Sequence, residues 1–203
     1  MVTAQRMTFD DLMATPEDGH RYELVRGEIV RMPPPKGDHG DIEAALVEAI
    51  GRYLHERALH QGWQECQGRA ARNGLVGRLV SGEAGIRFST LTDPDQTRGI
   101  DVGYLDMEQV ARLGVSSGAE YISEVPALVA EVISPSESSE YVEEKVSDLL
   151  AGGALLVWLL YPKPRTVRIC LPDGSTRLVG PEGTLQGGDV LPGFSVALVS
   201  LFP

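Results

Sequence analysis

A chain of 203 residues with 42% hydrophobic residues can bury a real core, yet leaves no room for two domains of comparable size. Its 29 acidic residues outnumber 18 Lys and Arg, giving a formal charge of −11. Such a surface repels polyanions unless a local basic cleft or a bound divalent cation offsets it, so tight nonspecific nucleic-acid binding is disfavoured.

Taken in chain order, Thr8 to Leu12 reads as a short capped helix, with Thr8 as N-cap and Asp11 three residues on. Arg21 to Met32 reads as a hairpin turning at Arg26-Gly27 and stopped by Pro33-Pro34-Pro35. A long helix is predicted from Asp38 to His60. Ile42, Ala45, Leu46, Ala49, Ile50, Tyr53 and Leu54 recur there at helical spacing, with Asp38 as N-cap and His39 in the first turn. Strands are expected at Trp63–Arg69, Leu79–Ser81, Gly85–Phe88 and Gly99–Leu105, separated by Gly-, Asn- and Pro-bearing turns, with a short helix at Met107–Leu113. Pro126 opens an apolar strand that carries Glu131, and Gly152-Gly153 ends the helix after it.

Ala154 to Leu160 is a second wholly apolar strand, too short to cross a bilayer, and the N-terminus lacks a basic-then-apolar signal. A soluble, cytoplasmic protein is expected. Thr166–Leu171 and Ser175–Val179 pair around Pro172-Asp173-Gly174, and the tail ends in Leu191-Pro192-Gly193-Phe194 and an apolar terminus. Cys66 and Cys170 lie far apart with no Cys or His at ligand spacing, so two reduced thiols are expected rather than a zinc site or disulfide. This order predicts an α/β layer architecture over residues 1–203 as one domain, a mixed β-sheet with at least two helices on it.

The chemistry-bearing residues are the ones that do not fit this apolar pattern. Glu131 interrupts Ala127-Leu128-Val129-Ala130 and Val132-Ile133, and an unpaired buried carboxylate is costly. Asp101 sits similarly in Gly99 to Leu105. Two adjacent strands bearing one acid each could converge on one point, and one or two carboxylates with open positions suit Mg²⁺. Val142, Val146, Leu149 and Leu150 define the buried face of the next helix, with Lys145 on its border. Its stem can lie along apolar surface while the ammonium reaches the acids. Spacing alone leaves the alternative open: Glu131 and Lys145 as a partly buried ion pair, and Asp101 capping a turn or pairing with Arg98.

The chain also resembles a known family. Tyr22-Glu23-Leu24-Val25-Arg26-Gly27-Glu28-Ile29, Pro33-Pro34 with His39, Ala84-Gly85-Ile86-Arg87-Phe88 and Ile100-Asp101-Val102-Gly103-Tyr104 match its motifs in order. So do Pro126 to Ser136, Glu144-Lys145 before Leu149 to Gly153, Val157 to Pro162, and Leu191-Pro192-Gly193-Phe194. Together they resemble the Uma-type restriction endonucleases, a former domain of unknown function in the PD-(D/E)xK nuclease superfamily.

The resemblance implies a restriction-endonuclease-like core with an N-terminal β-hairpin and C-terminal strands. It implies Mg²⁺- or Mn²⁺-dependent hydrolysis of DNA phosphodiesters, with Asp101 and Glu131 as metal-binding acids. Lys145 would stand in for the lysine the superfamily places two residues after the glutamate, where Ile133 sits here. His39 and Glu23 are weaker substrate-binding candidates; His39 could cap or pack, and Glu23 could brace the site through an arginine. Tyr141 stands where the family often has Asp, and Leu150 where it has Tyr. A homodimer is expected, in which Ala197 to Phe202 could pack across a two-fold axis; a dimer could also build a positive groove from Arg69, Arg72, Arg78 and Arg87, although a solvated basic face is equally compatible with them. The competing reading is a catalytically inactive dimeric interaction or regulatory module that keeps the fold.

Overall fold

The structure, a computed structural model, describes residues 6–32, 37–114 and 120–203. Helix α1 (Phe9–Met13) opens on the Thr8–Asp11 capping box, and strands β1 (Arg21–Val25) and β2 (Glu28–Met32) form the expected hairpin. Its turn places both Arg26 (φ 52°) and Gly27 (φ 77°) in the left-handed region, the geometry that matches the twist of a two-residue hairpin. The proline stop at 33–35 lies outside the described residues.

Helix α2 (Gly37–His60) follows the predicted stripe: Ile42, Leu46, Ile50 and Leu54 are all buried. Asp38 lies in its first turn rather than at the cap. The expected strand at Trp63–Arg69 is instead a 3₁₀ turn at Glu65–Gln67 leading into helix α3 (Gly68–Val76). Ala71 and Leu75, one turn apart, and Val76 pack on the core, while the buried Trp63 ring donates to the Gly68 carbonyl at 3.2 Å. The helical period there was masked by three glycines in ten residues.

The two short strands expected before Phe88 are one bulged strand, β3 (Arg78–Phe88), whose register slips between Ser81 and Ala84. Strand β4 (Gln96–Leu105), helix α4 (Met107–Leu113), strand β5 (Leu128–Val132), helix α5 (Ser139–Ala151), strands β6 (Leu156–Tyr161), β7 (Thr166–Cys170) and β8 (Thr176–Val179) follow. The six-stranded sheet has the order β3-β4-β5-β6-β7-β8. Only β5 and β6 run parallel, as a βαβ unit crossing over through α5. Both are buried along almost their whole length, as unbroken apolar runs require.

Alternation along β5 sorts the two layers. Leu128, Ala130 and Val132 join the cluster containing Ile42, Leu46, Ile50 and Leu54, whereas Val129 joins the cluster of Val142, Val146 and Leu149 on α5. Helices therefore cover opposite faces, and Glu131 falls on the α5 side. A two-stranded sheet of β9 (Thr184–Gln186) and β10 (Ser195–Ala197) completes the chain. The apolar terminus does not wait for a second subunit: Leu198, Leu201 and Phe202 are buried in this chain's own core, leaving Val199 exposed. These three side chains, which could have packed across a two-fold axis, are buried within the chain itself. Among the described residues no helix is long and apolar enough to cross a membrane.

Candidate active site

The site forms at the carboxyl ends of the parallel strands β5 and β6, where open α/β sheets place their ligands. The backbone ladder between β4 and β5 runs from Tyr104↔Leu128 to Val102↔Ala130. Beyond it, the Asp101 side chain substitutes for a backbone carbonyl, with Oδ2 accepting from the Val132 amide at 2.7 Å. Alternation breaks at this point: Ile100 packs on the α5 side and Val102 on the α2 side, opposite the β3 register slip. The bulge thereby aims Asp101 at the neighbouring strand.

Glu131 and Lys145 meet across the β5–α5 interface, with Lys145 Nζ donating to Glu131 Oε2 at 2.7 Å. Ser138 sets the start of α5 by accepting from the Tyr141 amide at 3.1 Å, and burial of Val142, Val146 and Leu149 fixes its rotation. Lys145 is then carried inward at the edge of the apolar face. His39, from the first turn of α2, brings Nε2 to 3.0 Å from Asp101 Oδ1. Asp101, Glu131, Lys145 and His39 all line one cavity of about 410 Å³, together with Arg21 and Lys163. Asp101, Glu131 and Lys145 thus converge on one cavity.

Glu23 lines the same cavity but both oxygens are engaged by the protein. Oε1 accepts from the Gly99 amide at 2.8 Å, and Oε2 accepts from the Tyr141 hydroxyl at 3.0 Å and from Arg98 at 3.3 Å. This favours its bracing alternative over substrate contact. A side chain at Gly99 would put its Cβ 3.0 Å from Arg21 Nη1 and 3.5 Å from Glu23 Oε1, so glycine permits the close approach. Tyr141, the departure from the family's usual Asp, supplies the hydroxyl that holds Glu23. Arg98, only 1% exposed, pairs with Asp148 at 2.6 Å as well as with Glu23, not with Asp101. Asp148 and Lys163 escaped sequence reasoning; the one signal for Lys163 was its place just after the apolar strand that ends at Tyr161-Pro162.

Electrostatically the site is short of positive charge. Among the described residues, four buried carboxylates, Glu23, Asp101, Glu131 and Asp148, face two buried cations, Arg98 and Lys145. Burial pushes Glu131 up to about 8, an effect that the Lys145 ammonium only partly offsets and the Asp101 charge reinforces. Burial works against the charged form of Lys145 too, but the surrounding acids, Glu131 foremost, hold it firmly protonated. Asp101 behaves oppositely to Glu131. Burial is outweighed by its His39 hydrogen bond, the Lys145 charge and the Val132 amide, and its carboxyl stays below the ordinary range.

Glu131 Oε1 is buried and accepts no hydrogen bond. An orphaned carboxylate oxygen next to a second carboxylate, in a region with excess negative charge, fits a hard divalent cation. Among the described residues no group of three His, Cys, Asp or Glu side chains forms a ready ligand set. The two carboxylates present suit a hard cation that fills its shell with water and substrate oxygens better than they suit the closed N/S set of zinc.

A pH dependence follows from Glu131. Its folded value near 8 lies above the ordinary 4.5, so the ion-free folded state retains a proton that the unfolded chain releases. That contribution is fully present below about 4.5 and is lost as pH rises through about 8. Chemical denaturation of the protein in EDTA is expected to show stability falling from pH 5 to 8. Glu131→Gln should remove that part of the slope; an unchanged slope in the variant assigns it elsewhere.

Arg69, Arg72, Arg78 and Arg87 do not line this cavity. Arg87 faces a separate, wider depression and is bonded to Asp95 at 2.8 and 3.1 Å. None of the four therefore adds positive charge to this cavity.

Comparison with known proteins places the chain. Residues 8–199 match the family described as Uma2, putative restriction endonuclease. No curated protein matches the sequence. Among solved structures, the crystal structure of a putative nuclease belonging to DUF820 from Anabaena variabilis ATCC 29413 superposes with a TM-score of 0.74. Identity is 20%, and 97% of each chain is covered. That likeness concerns the fold.

Proposed function

The chain belongs to the Uma2 family, described as putative restriction endonuclease, and on that premise we propose that it is a divalent-cation-dependent nuclease hydrolysing DNA phosphodiester bonds. The reading is carried by one observation: Asp101, Glu131 and Lys145 converge on a single cavity, with Glu131 Oε1 buried and without a hydrogen-bond partner. Asp101 and Glu131 would hold Mg²⁺ or Mn²⁺. The bound cation supplies a water of lowered pKa and neutralises charge on the phosphoryl group.

The remaining work belongs to the chain's own side chains. Lys145 spends one of its three N–H donors on Glu131 Oε2, which locks the carboxylate's rotamer and leaves donors for a water or a phosphoryl oxygen. Its fixed positive charge opposes the negative charge that grows on phosphorus. His39 and the Val132 amide hold the two oxygens of Asp101, so the carboxylate is oriented before substrate arrives. Glu23 fastens the β1–β2 hairpin to Gly99 beside the site.

The test is cleavage of supercoiled, linear and single-stranded DNA with Mg²⁺, Mn²⁺ or EDTA. Cleavage should require the cation and fall at least about a hundredfold in Glu131→Gln and Asp101→Asn variants whose folding is intact. Cleavage surviving in both variants would remove the site assignment. Intact DNA under every condition, with Glu131→Gln more stable than the parent, would favour a non-catalytic interaction module that keeps the fold.

A further inference from the structure

We propose that the active cavity takes an unpaired nucleic-acid strand rather than an intact duplex, and that Lys163 anchors a backbone phosphate at its rim. The proposal rests on the nuclease reading and names that site's substrate class. Three observations carry it.

The first is depth. The side chains of Asp101, Glu131 and Lys145 are only 9%, 9% and 10% exposed. A phosphate must descend into the cavity to reach them, which a single backbone can do and a stiff duplex, with its phosphates fixed on the outside of a stacked helix, cannot do without distortion.

The second is size. A volume of about 410 Å³ lies at the low end of small-ligand cavities, about 300–1,000 Å³, and suits a nucleotide unit or so of a strand rather than a helical turn.

The third is charge. Duplex binders neutralise many phosphates at once and depend steeply on salt. Here the net charge is −11, and the arginines Arg69, Arg72, Arg78 and Arg87 lie off the cavity. The lining itself carries Glu23, Asp38, Asp101, Glu131 and Glu137 against Arg21, His39, Lys145 and Lys163. Such a site can pair with one or two phosphates, not with a duplex track.

Lys163 is the suited anchor. It stands in the turn between β6 and β7, at the carboxyl end of a strand of the parallel pair, exposed and lining the cavity. Among the described residues it makes no hydrogen bond or ion pair, in contrast to the two-carboxylate grip on Arg98 and the Asp95 grip on Arg87. An unpaired ammonium at the rim, above acids able to hold a cation, can fix the phosphate next to the one being cut.

The probe is a fluorescein-labelled mixed-sequence oligonucleotide, used single-stranded or annealed to its complement. Binding to full-length protein is followed by anisotropy in EDTA at several salt concentrations, and cleavage of the same probes is followed with Mn²⁺. The single strand should bind about tenfold more tightly than the duplex, with a shallow salt slope. Lys163→Ala should weaken that binding several-fold and flatten the slope by about 0.7, the amount for one phosphate contact on a single strand. Lys163→Arg should restore both, and all three proteins should unfold at the same temperature. Equal or tighter binding of duplex, or Lys163→Ala binding like the parent, overturns the proposal, as does binding to neither probe. Strand-selective binding without cleavage would sustain it while ending the hydrolytic reading; cleavage of both probes at equal rate would do the reverse.

Discussion

Replacing Arg98 by methionine is expected to destabilise the protein by about 3–5 kcal/mol, a large share of the stability of an ordinary domain. Arg98 is the most buried charged side chain here and bridges Glu23 on β1 with Asp148 on α5, with Tyr141 packed over its guanidinium. Methionine fills comparable space but leaves two buried carboxylates without their cation. Glu23 keeps the Gly99 amide and the Tyr141 hydroxyl, so the larger cost falls on Asp148, which is buried and does not line the cavity. Lysine does not rescue, because a point charge cannot reach two carboxylates from different elements in the way a planar fork can. Urea unfolding measures the effect. A midpoint within experimental error of the parent would mean that the cluster contributes nothing net. Should the variant fail to accumulate folded, Asp148→Asn, which leaves Glu23 paired, is expected to give a smaller but measurable loss.

Lys145→Met should behave differently, folding nearly normally while losing activity by about 10²–10³-fold. Both residues are buried cations facing buried acids, yet the acids are not alike. Burial already pushes Glu131 up to about 8 with the Lys145 ammonium beside it, so without Lys145 it holds its proton more firmly still and stays a neutral group instead of an uncompensated charge. The structural cost is thereby limited. Catalysis has no such escape: the fixed charge near phosphorus is gone, and a protonated Glu131 cannot ligate a cation until the proton leaves. Mn²⁺ affinity in this variant should therefore rise more steeply with pH than in the parent. Single-turnover cleavage and Mn²⁺ titration across pH 6–9 separate these effects. Retained cleavage with lost stability would reverse the roles assigned to this pair.

How legible the site was depends on which residues are considered. Asp101 and Glu131 stood out because each is a charge inside an apolar strand, and burial makes such a charge conspicuous in one dimension. Lys145 was recoverable from helical periodicity, which put it beside the buried face of α5. The Arg98 cluster was not recoverable. Its hydrogen bonds join residues 75 and 50 positions apart, and no local pattern tells a buried arginine from a solvated one.

The sequence by itself determined the layer architecture, the long helix α2, the hairpin turn at Arg26-Gly27 and the two apolar strands at the centre of the sheet, because periodicity and turn chemistry act over a few residues. Only the tertiary structure decided that residues 68–76 are helical, that the C-terminal apolar side chains pack within the chain, that Glu23 is held by Gly99, Arg98 and Tyr141, and that Arg69, Arg72, Arg78 and Arg87 do not line the cavity. These outcomes turn on which surfaces meet across the fold, a matter of contacts between distant segments that local preference does not encode.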